Sequence, residues 1–276
     1  MTDLISSDFS FSQSNLQTFT YCRRRFYLRY IKKLIWPAQL VGDDQYIQDR
    51  DAGVRFHRLV HQHFLGFDPA LLKKVAEADS DHRVAEWFKT FLASPISRLE
   101  GKLMPEALYT TNIAGYSLSA KVDLLQIDAG KVTIYDWKTS RKLPTLAILQ
   151  KQAQSKVYPL VVSRVFQKDL AGSIPPLLSM VYWEANFPEQ TIVINSSQAD
   201  WEKYEIEITA LIDLILSLET EEFVKTPDIR KCGLCEYRSY CQRGNVAQDW
   251  EEHPESDLID DEIKIPGDAV DAWGSV

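Results

Sequence analysis

Cysteine, histidine and methionine are scarce in this chain of 276 residues: four, five and three respectively. Four cysteines are far too few for a disulfide scaffold, so the expected setting is reducing and cytoplasmic, where clustered thiols bind metal or do redox work. Glycine (11) and proline (12) are also sparse, and no internal repeat is visible, which excludes collagenous and low-complexity chains. No apolar run approaches the roughly 18–20 residues that cross a bilayer, so no membrane partner is expected. The segment Met1–Asp8 lacks the basic region and apolar stretch of a secretion signal. What the chain does have, 45% hydrophobic and 25% charged residues, is the mixture of an ordinary globular protein long enough to bury a core.

Basic charge is not lacking, only unevenly placed. The formal net charge is −8, yet residues 246–276 contain ten Asp and Glu against Lys264 alone. That tail carries −9 by itself, so residues 1–245 carry +1. The first 36 residues hold six Lys and Arg against Asp3 and Asp8. A near-neutral body with a basic front end can approach phosphates; the acidic total describes the tail. The tail has no apolar periodicity and is expected to be disordered, competing with nucleic acid for the basic face.

Helical spacing of Leu16, Phe19, Phe26 and Tyr30 predicts an N-terminal helix, with Ser14 and Gln17 as a capping box and Trp36-Pro37 as its end. Further helices are expected over 53–64 and within 70–100. From Ala107 the period changes. Leu118, Ala120, Val122 and Leu124 alternate with Ser117, Ser119, Lys121 and Asp123 as a strand, Asp128-Ala-Gly130 is a hairpin turn, and 131–138 returns. A helix over 145–166 should be kinked or interrupted by Pro159. Strands over 177–184 and 191–194, a long helix over 198–218 and a compact loop over 232–241 complete the chain. This order predicts an α/β class, a mixed central sheet flanked by helices.

Four constellations carry chemistry. Asp136 and Lys138 share one face of a strand end, and the hairpin turn brings Asp123 beside them. Two carboxylates and an ammonium suit a hard divalent cation, Mg²⁺ or Mn²⁺, and a water nucleophile, although an isolated Asp-x-Lys is usually a surface ion pair. His57 and His61 stand four apart on one helical face, but no glutamate follows His57, which excludes a zinc-protease motif. Gln154 and Tyr158, one helical turn apart, can hydrogen-bond a phosphate or a substrate backbone, or simply line a solvated face. Cys232, Cys235 and Cys241 form a metal loop, with Cys22 some 210 residues upstream as the remaining thiol. Zinc usually takes two close cysteine pairs, whereas cubane iron–sulfur clusters accept a scattered fourth ligand.

In this order the motifs resemble the RecB-like branch of the PD-(D/E)XK nuclease superfamily, over roughly residues 10–243. More narrowly, the chain is similar to members with a 4Fe–4S cluster, such as CRISPR-adaptation exonucleases and helicase-associated nuclease domains. The resemblance implies a restriction-endonuclease-like core over residues 1–245, closed by an N- and C-terminal iron–sulfur staple, with 246–276 outside it. It implies His57, Asp123, Asp136 and the backbone carbonyl of Trp137 as metal ligands, and Asp123, Asp136 and Lys138 as the catalytic residues. Gln154 and Tyr158 match the DNA-contacting motif, Cys22, Cys232, Cys235 and Cys241 the cluster ligands, and Glu106 a secondary acidic position. Arg23 stands where a proline is common, Asp136 where Glu is commoner, and Pro159 directly follows the Tyr158 motif.

The expected activity is therefore Mg²⁺- or Mn²⁺-dependent hydrolysis of DNA phosphodiesters, most simply from an end, in repair, recombination or defence. Arg23, Arg24, Arg25 and Arg29 are candidate phosphate contacts, with a solvated helix face as the bland alternative. DNA is the expected partner, with a helicase or another repair or defence protein as a second. The rival function is a non-catalytic DNA-binding or scaffold subunit of a helicase–nuclease. For the thiols the rival occupant is Zn²⁺.

Overall fold

Six strands build one mixed sheet in a computed structural model that describes residues 4–36, 44–169 and 177–244. They are β1 (Ser10–Ser12), β2 (Lys102–Ile113), β3 (Tyr116–Asp128), β4 (Lys131–Lys138), β5 (Leu178–Glu184) and β6 (Ile192–Ser196). The order is β1-β3-β4-β5-β6, with β2 also on β3. Both parallel pairs, β1 with β3 and β4 with β5, lie inside an otherwise antiparallel arrangement. The α/β class with a helix-flanked mixed sheet is thus what the chain adopts. The acidic segment 246–276 lies outside the described residues. Among the described residues no helix is long and apolar enough to cross a membrane.

The sheet is a divider between two cores. On one face pack α1 (Gln13–Tyr21), α7 (Gln154–Asp169) and α8 (Gln198–Ser217), whose Leu16, Val161 and Ile212 meet Leu118, Val122 and Ile134 of the strands. On the other pack α3 (Asp44–Phe64), α4 (Pro69–Glu77) and α5 (His82–Ala93), which bring Phe56, Trp87 and Phe91 against Trp137 and Trp183. Truncating one such fully buried aromatic would cost about 3–5 kcal/mol, because the rings around it cannot close the void.

Strand β3 has one edge fully used and one edge interrupted. Along its first edge β2 pairs from Tyr116 to Ile127. Along the second, β1 takes Ser117–Ser119 and β4 takes 124–128, so residues 120–123 have no strand beside them there. The two long strands also change phase at this level. Leu118, Ala120 and Val122 face the first core, but Leu124 faces the second and Leu125 the first again. Opposite, Glu106 stands between the pairs Pro105↔Leu124 and Ala107↔Val122 and takes a left-handed backbone, φ +52°. The simple alternation expected of 116–124 therefore fails at Asp123.

Other departures are local. Strand β2 is twelve residues long and joins β3 through Ala114 and Gly115, both left-handed; the sequence marked only a change of period near Ala107. The capping box of α1 is Ser12 with Asn15, not Ser14 with Gln17. Ser14 instead meets the Tyr30 hydroxyl, and Gln17 accepts from the Ala153 N–H. The N-terminal helix breaks at Cys22, which is extended (φ −158°, ψ 112°), and resumes as α2 (Arg23–Phe26) and a π-helical turn over Tyr27–Ile31. Pro159 lies inside its helix and does not end it. The interruption lies earlier, at 152–153, between α6 (Leu146–Lys151) and α7.

The β3–β4 hairpin turns through Ala129 (φ +46°) and Gly130 (φ +78°), so both central residues are left-handed, as a type I′ turn requires. Glycine tolerates this freely and alanine does not. Ala129 is exposed, so Ala129→Asn changes little but this strain. The expected outcome is a gain of about 0.5–1 kcal/mol, read as a higher urea midpoint with an unchanged slope.

Candidate active site

The interrupted edge of β3 creates a fork with β4, and the functional side chains converge on it. Past the pair Leu124↔Tyr135, the Trp137 N–H points toward β3 but has no strand carbonyl to meet. The Asp123 side chain takes it instead, Oδ2 accepting at 2.8 Å. From above, α3 presents His57, whose Nδ1 lies 3.5 Å from Asp123 Oδ1. Gly53, one turn earlier, lets α3 approach: a Cβ there would come within 3.1 Å of Thr139 Oγ1, immediately after β4. The left-handed kink at Glu106 brings a third donor in. The ligand atoms of His57, Glu106 and Asp123 all lie within 4.8 Å of one another. One nitrogen and two carboxylates at that spacing fit a single divalent cation, whose bonds of about 2.0–2.2 Å place its ligands no farther apart than this.

Asp136 and Lys138 occupy the other side of the fork. Asp136 is 3% exposed; its Oδ1 accepts from Gln154 Nε2 at 2.6 Å, and its Oδ2 lies 2.9 Å from Lys138 Nζ. Lys138 Nζ also donates to Gln154 Oε1 at 3.2 Å and sits 6.0 Å from the Tyr182 ring centre. The group drawn together within 4.8 Å therefore contains Glu106 and not Asp136, a different weighting from the sequence, which gave Glu106 a secondary place.

The electrostatics follow from burying this many charges. Burial pushes the Asp136 carboxyl up, Lys138 opposes that, Asp123 adds to it, and the result is about 6. Burial likewise raises Glu184, at the end of β5, to about 7 against the pull of Lys138 and Ser140. Burial works against charge on both His57 and Asp123, yet their mutual attraction outweighs it: the imidazole is raised and the carboxyl lowered.

Gln154 and Tyr158 do not face solvent. They are 3% and 6% exposed, and Gln154 bridges Asp136 and Lys138. The four arginines do not form one solvated row. Arg25 and Arg29 turn to Glu236, while Arg23 and Arg24 lie over the rings of Phe19 and Tyr27.

A second centre gathers the thiols. Cys22, at the break between α1 and α2, lines one small cavity with Cys232, Cys235 and Cys241. Arg25, Lys225 and Arg243 share its wall. Burial raises Cys232, Cys235 and Cys241, Cys235 to about 12, and the nearby cations oppose that rise. Four sulfurs in a cationic pocket fit a thiolate-ligated metal group, whose net charge is negative. The walls meet through further contacts: Tyr237 Oη donates to the Leu34 carbonyl at 2.8 Å, Trp36 Nε1 to Ser239 Oγ at 2.9 Å, and Tyr21 Oη to the Lys231 carbonyl at 3.1 Å.

Comparison with known proteins agrees with this geometry. The family model described as the PD-(D/E)XK nuclease superfamily matches residues 10–242. A solved structure of a provisionally named exonuclease from Eubacterium rectale superposes with a TM-score of 0.50 at 13% identity, covering 90% of this chain and 92% of that one, which speaks to the fold. The crystal structure of SSO0001 covers 86% of this chain and 87% of its own at 12% identity, but its TM-score of 0.39 carries no argument. No curated protein matches.

The strained backbone at Glu106 yields a test. A left-handed non-glycine residue costs about 1–2 kcal/mol, and the Lys121–Glu106 pair at 2.6 Å is half-exposed and returns little of it. Glu106→Gly removes the strain, one ligand and one of several crowded carboxylates. Metal-free protein carrying it should melt at or above the wild-type temperature, while the rise in melting temperature on adding Mn²⁺ falls by at least half.

Proposed function

The chain belongs to the PD-(D/E)XK nuclease superfamily, and on that premise we propose that it is a Mg²⁺- or Mn²⁺-dependent deoxyribonuclease that removes nucleotides from DNA ends. The observation that carries this reading is the convergence of His57, Glu106 and Asp123 at the β3–β4 fork, with Lys138 alongside. His57, Glu106 and Asp123 would hold the cation, with Asp136 and the Trp137 carbonyl completing the set; the carbonyl leaves the same strand edge as the N–H that Asp123 accepts. Bound there, the cation supplies a water of lowered pKa and neutralises charge on the scissile phosphate.

The chain's own residues do the positioning. Lys138 orients the attacking water with its ammonium group and shields the developing negative charge on the phosphate. Gln154 fixes Lys138 and Asp136 relative to one another, so neither reorganises as charge moves. Phosphates approach over the open face of β2 and β3, where Ser117, Ser119 and Lys121 continue the row that Asp123 begins and Thr110 and Asn112 stand exposed beside them. End processing of this kind suits repair, recombination or defence, with a helicase as the class of partner that opens ends.

For the thiols we propose a 4Fe–4S cluster in preference to zinc. Cys22 stands some 210 residues before the Cys232–Cys241 loop, and a cubane cluster accepts a scattered fourth ligand where zinc usually takes two close pairs. Protein purified without oxygen should be brown, with iron and sulfide in equal amounts, and Cys22→Ser should destabilise it as much as Cys232→Ser. Colourless protein with one zinc per chain would overturn this.

Nuclease activity is tested on end-labelled linear and closed circular DNA with Mg²⁺ or Mn²⁺. Linear DNA should be degraded and circles spared. Asp123→Ala and Asp136→Ala should abolish cleavage and weaken metal binding, whereas Lys138→Ala should abolish cleavage and keep metal. Cleavage by the Asp136 variant at the wild-type rate, or none by wild type with either metal, would refute the enzyme reading.

A further inference from the structure

The thiol centre holds three buried N–H donors that reach no acceptor. Arg25, three residues after Cys22, and Arg238, midway between Cys235 and Cys241, both line the cavity shared by the four thiols. Arg238 is 2% exposed, and its Nε and Nη1 are buried without a hydrogen bond. Arg25 gives one terminal nitrogen to Glu236 at 2.9 Å, while its Nε is buried without a hydrogen bond. Both residues are otherwise anchored. The Arg238 N–H donates to the Cys235 carbonyl at 3.1 Å, and its carbonyl accepts from the Arg243 N–H at 2.8 Å. Arg25 stands in α2 and keeps Glu236 as its partner.

A buried cationic donor without an acceptor is expensive, since it has left water and gained nothing in exchange. Sulfur can accept such a bond, yet none of the four thiols takes one from these three nitrogens. What they lack is an acceptor that the thiols would hold between them. A zinc ion brings none, being itself a cation. An iron–sulfur group brings sulfides, which accept. We propose that Arg25 and Arg238 donate hydrogen bonds to the sulfides of a cluster held by the four thiols, and thereby favour its reduced form. This rests on the cluster reading and deepens it, from a staple to a centre that takes up an electron.

The charges lining the cavity act in the same direction. Lys225, Lys231 and Arg243 stand there beside the two arginines, with no Asp or Glu among the described lining residues. Joining two ends of the chain takes four ligands and no such surplus of cations. Reduction places one further negative charge on iron and sulfur. Each N–H···S bond and each buried cation therefore stabilises the reduced form more than the oxidised one. The buried donors should dominate, because an exposed ammonium such as that of Lys225 is screened by solvent.

The test is a reductive titration of the full chain, purified without oxygen and assayed for iron and sulfide. Dithionite is the reductant, and visible absorbance and electron paramagnetic resonance follow the midpoint. One electron passes from dithionite to the iron, no bond to the protein forms or breaks, and dithionite leaves as sulfite. Arg25→Lys and Arg238→Lys keep the positive charge, and with Arg25 the pair to Glu236, but lose the guanidinium fork. Each should lower the equilibrium constant for reduction about tenfold, a fall of about 59 mV in midpoint. Lys225→Met, which removes an exposed cation from the same wall, should move it by less than about a third of that.

Midpoints unmoved in both lysine variants at full iron and sulfide content, or an equal fall in Lys225→Met, would overturn the proposal. If Arg238→Lys does not fold with its iron, Arg25→Lys alone decides, since its ion pair is retained. Wild-type protein that carries zinc and no iron would instead remove the cluster reading itself, and this proposal with it.

Discussion

Where β3 and β4 part, one backbone N–H is left pointing across an opening, and the Asp123 carboxylate closes it. A buried N–H without a partner costs about 1–3 kcal/mol, so this hydrogen bond is obligatory to the strand end as well as useful to the site. It fixes Asp123 to the backbone of the residue between Asp136 and Lys138. The spacing of both carboxylates and the lysine is then set by the sheet and not by flexible side chains. The opening exists because β1 and β4 divide one edge of β3 between them and leave residues 120–123 uncovered. The topology of the sheet, a parallel strand entering from the far N-terminus, therefore makes the place where a cation can reach the strand.

That N-terminal strand is itself held from the other end of the chain. β1 runs directly into α1, and α1 ends at Cys22, whose extended backbone turns the thiol toward the loop of Cys232, Cys235 and Cys241. Leu34 and Trp36 are bonded to the same loop. The thiol loop is thus linked to the β3 edge by a short path: Cys22, α1, β1, β3. The same logic explains Arg25 and Arg29, whose pairing with Glu236 fastens the front of the chain to that loop.

Much of this was legible in the sequence where period and turn chemistry agree. The alternation of 116–122, the Asp128-Ala-Gly130 turn and the return to Lys138 placed Asp123 and Asp136 together because strand geometry has a period of two and a tight turn leaves one register. Glu106 was harder to weigh. Its importance comes from a left-handed kink in a strand whose neighbour kinks at the same level, and nothing in the local residues Pro105-Glu-Ala107 demands that conformation. Gln154 and Tyr158 were read either as phosphate or substrate contacts or as a solvated helix face. Their burial follows from α7 lying flat on the sheet, a tertiary fact. Pro159 does not end its helix, since packing against the sheet outweighs one lost hydrogen bond near a helix start. Glu184 left no mark in the sequence: a glutamate ending an apolar strand is normally a solvated terminus.

The charges around the fork form a closed account. Four carboxylates, Glu106, Asp123, Asp136 and Glu184, stand against two ammonium groups, Lys121 and Lys138. Two negative charges remain before His57 is counted, and the buried share of them, at Asp136 and Glu184, is poorly solvated. His57, Asp136 and Glu184 all hold their protons to higher pH than free side chains do: burial raises the two carboxyls, and the Asp123 carboxylate raises His57 against burial. A single divalent cation matches the same excess and would displace those protons from its ligands. Protons and a divalent cation would thus be two ways of neutralising one set of crowded carboxylates, of which Asp136 and Glu184 are buried and Glu106 and Asp123 are half-buried. The raised titrations of Asp136 and Glu184 follow first from that burial.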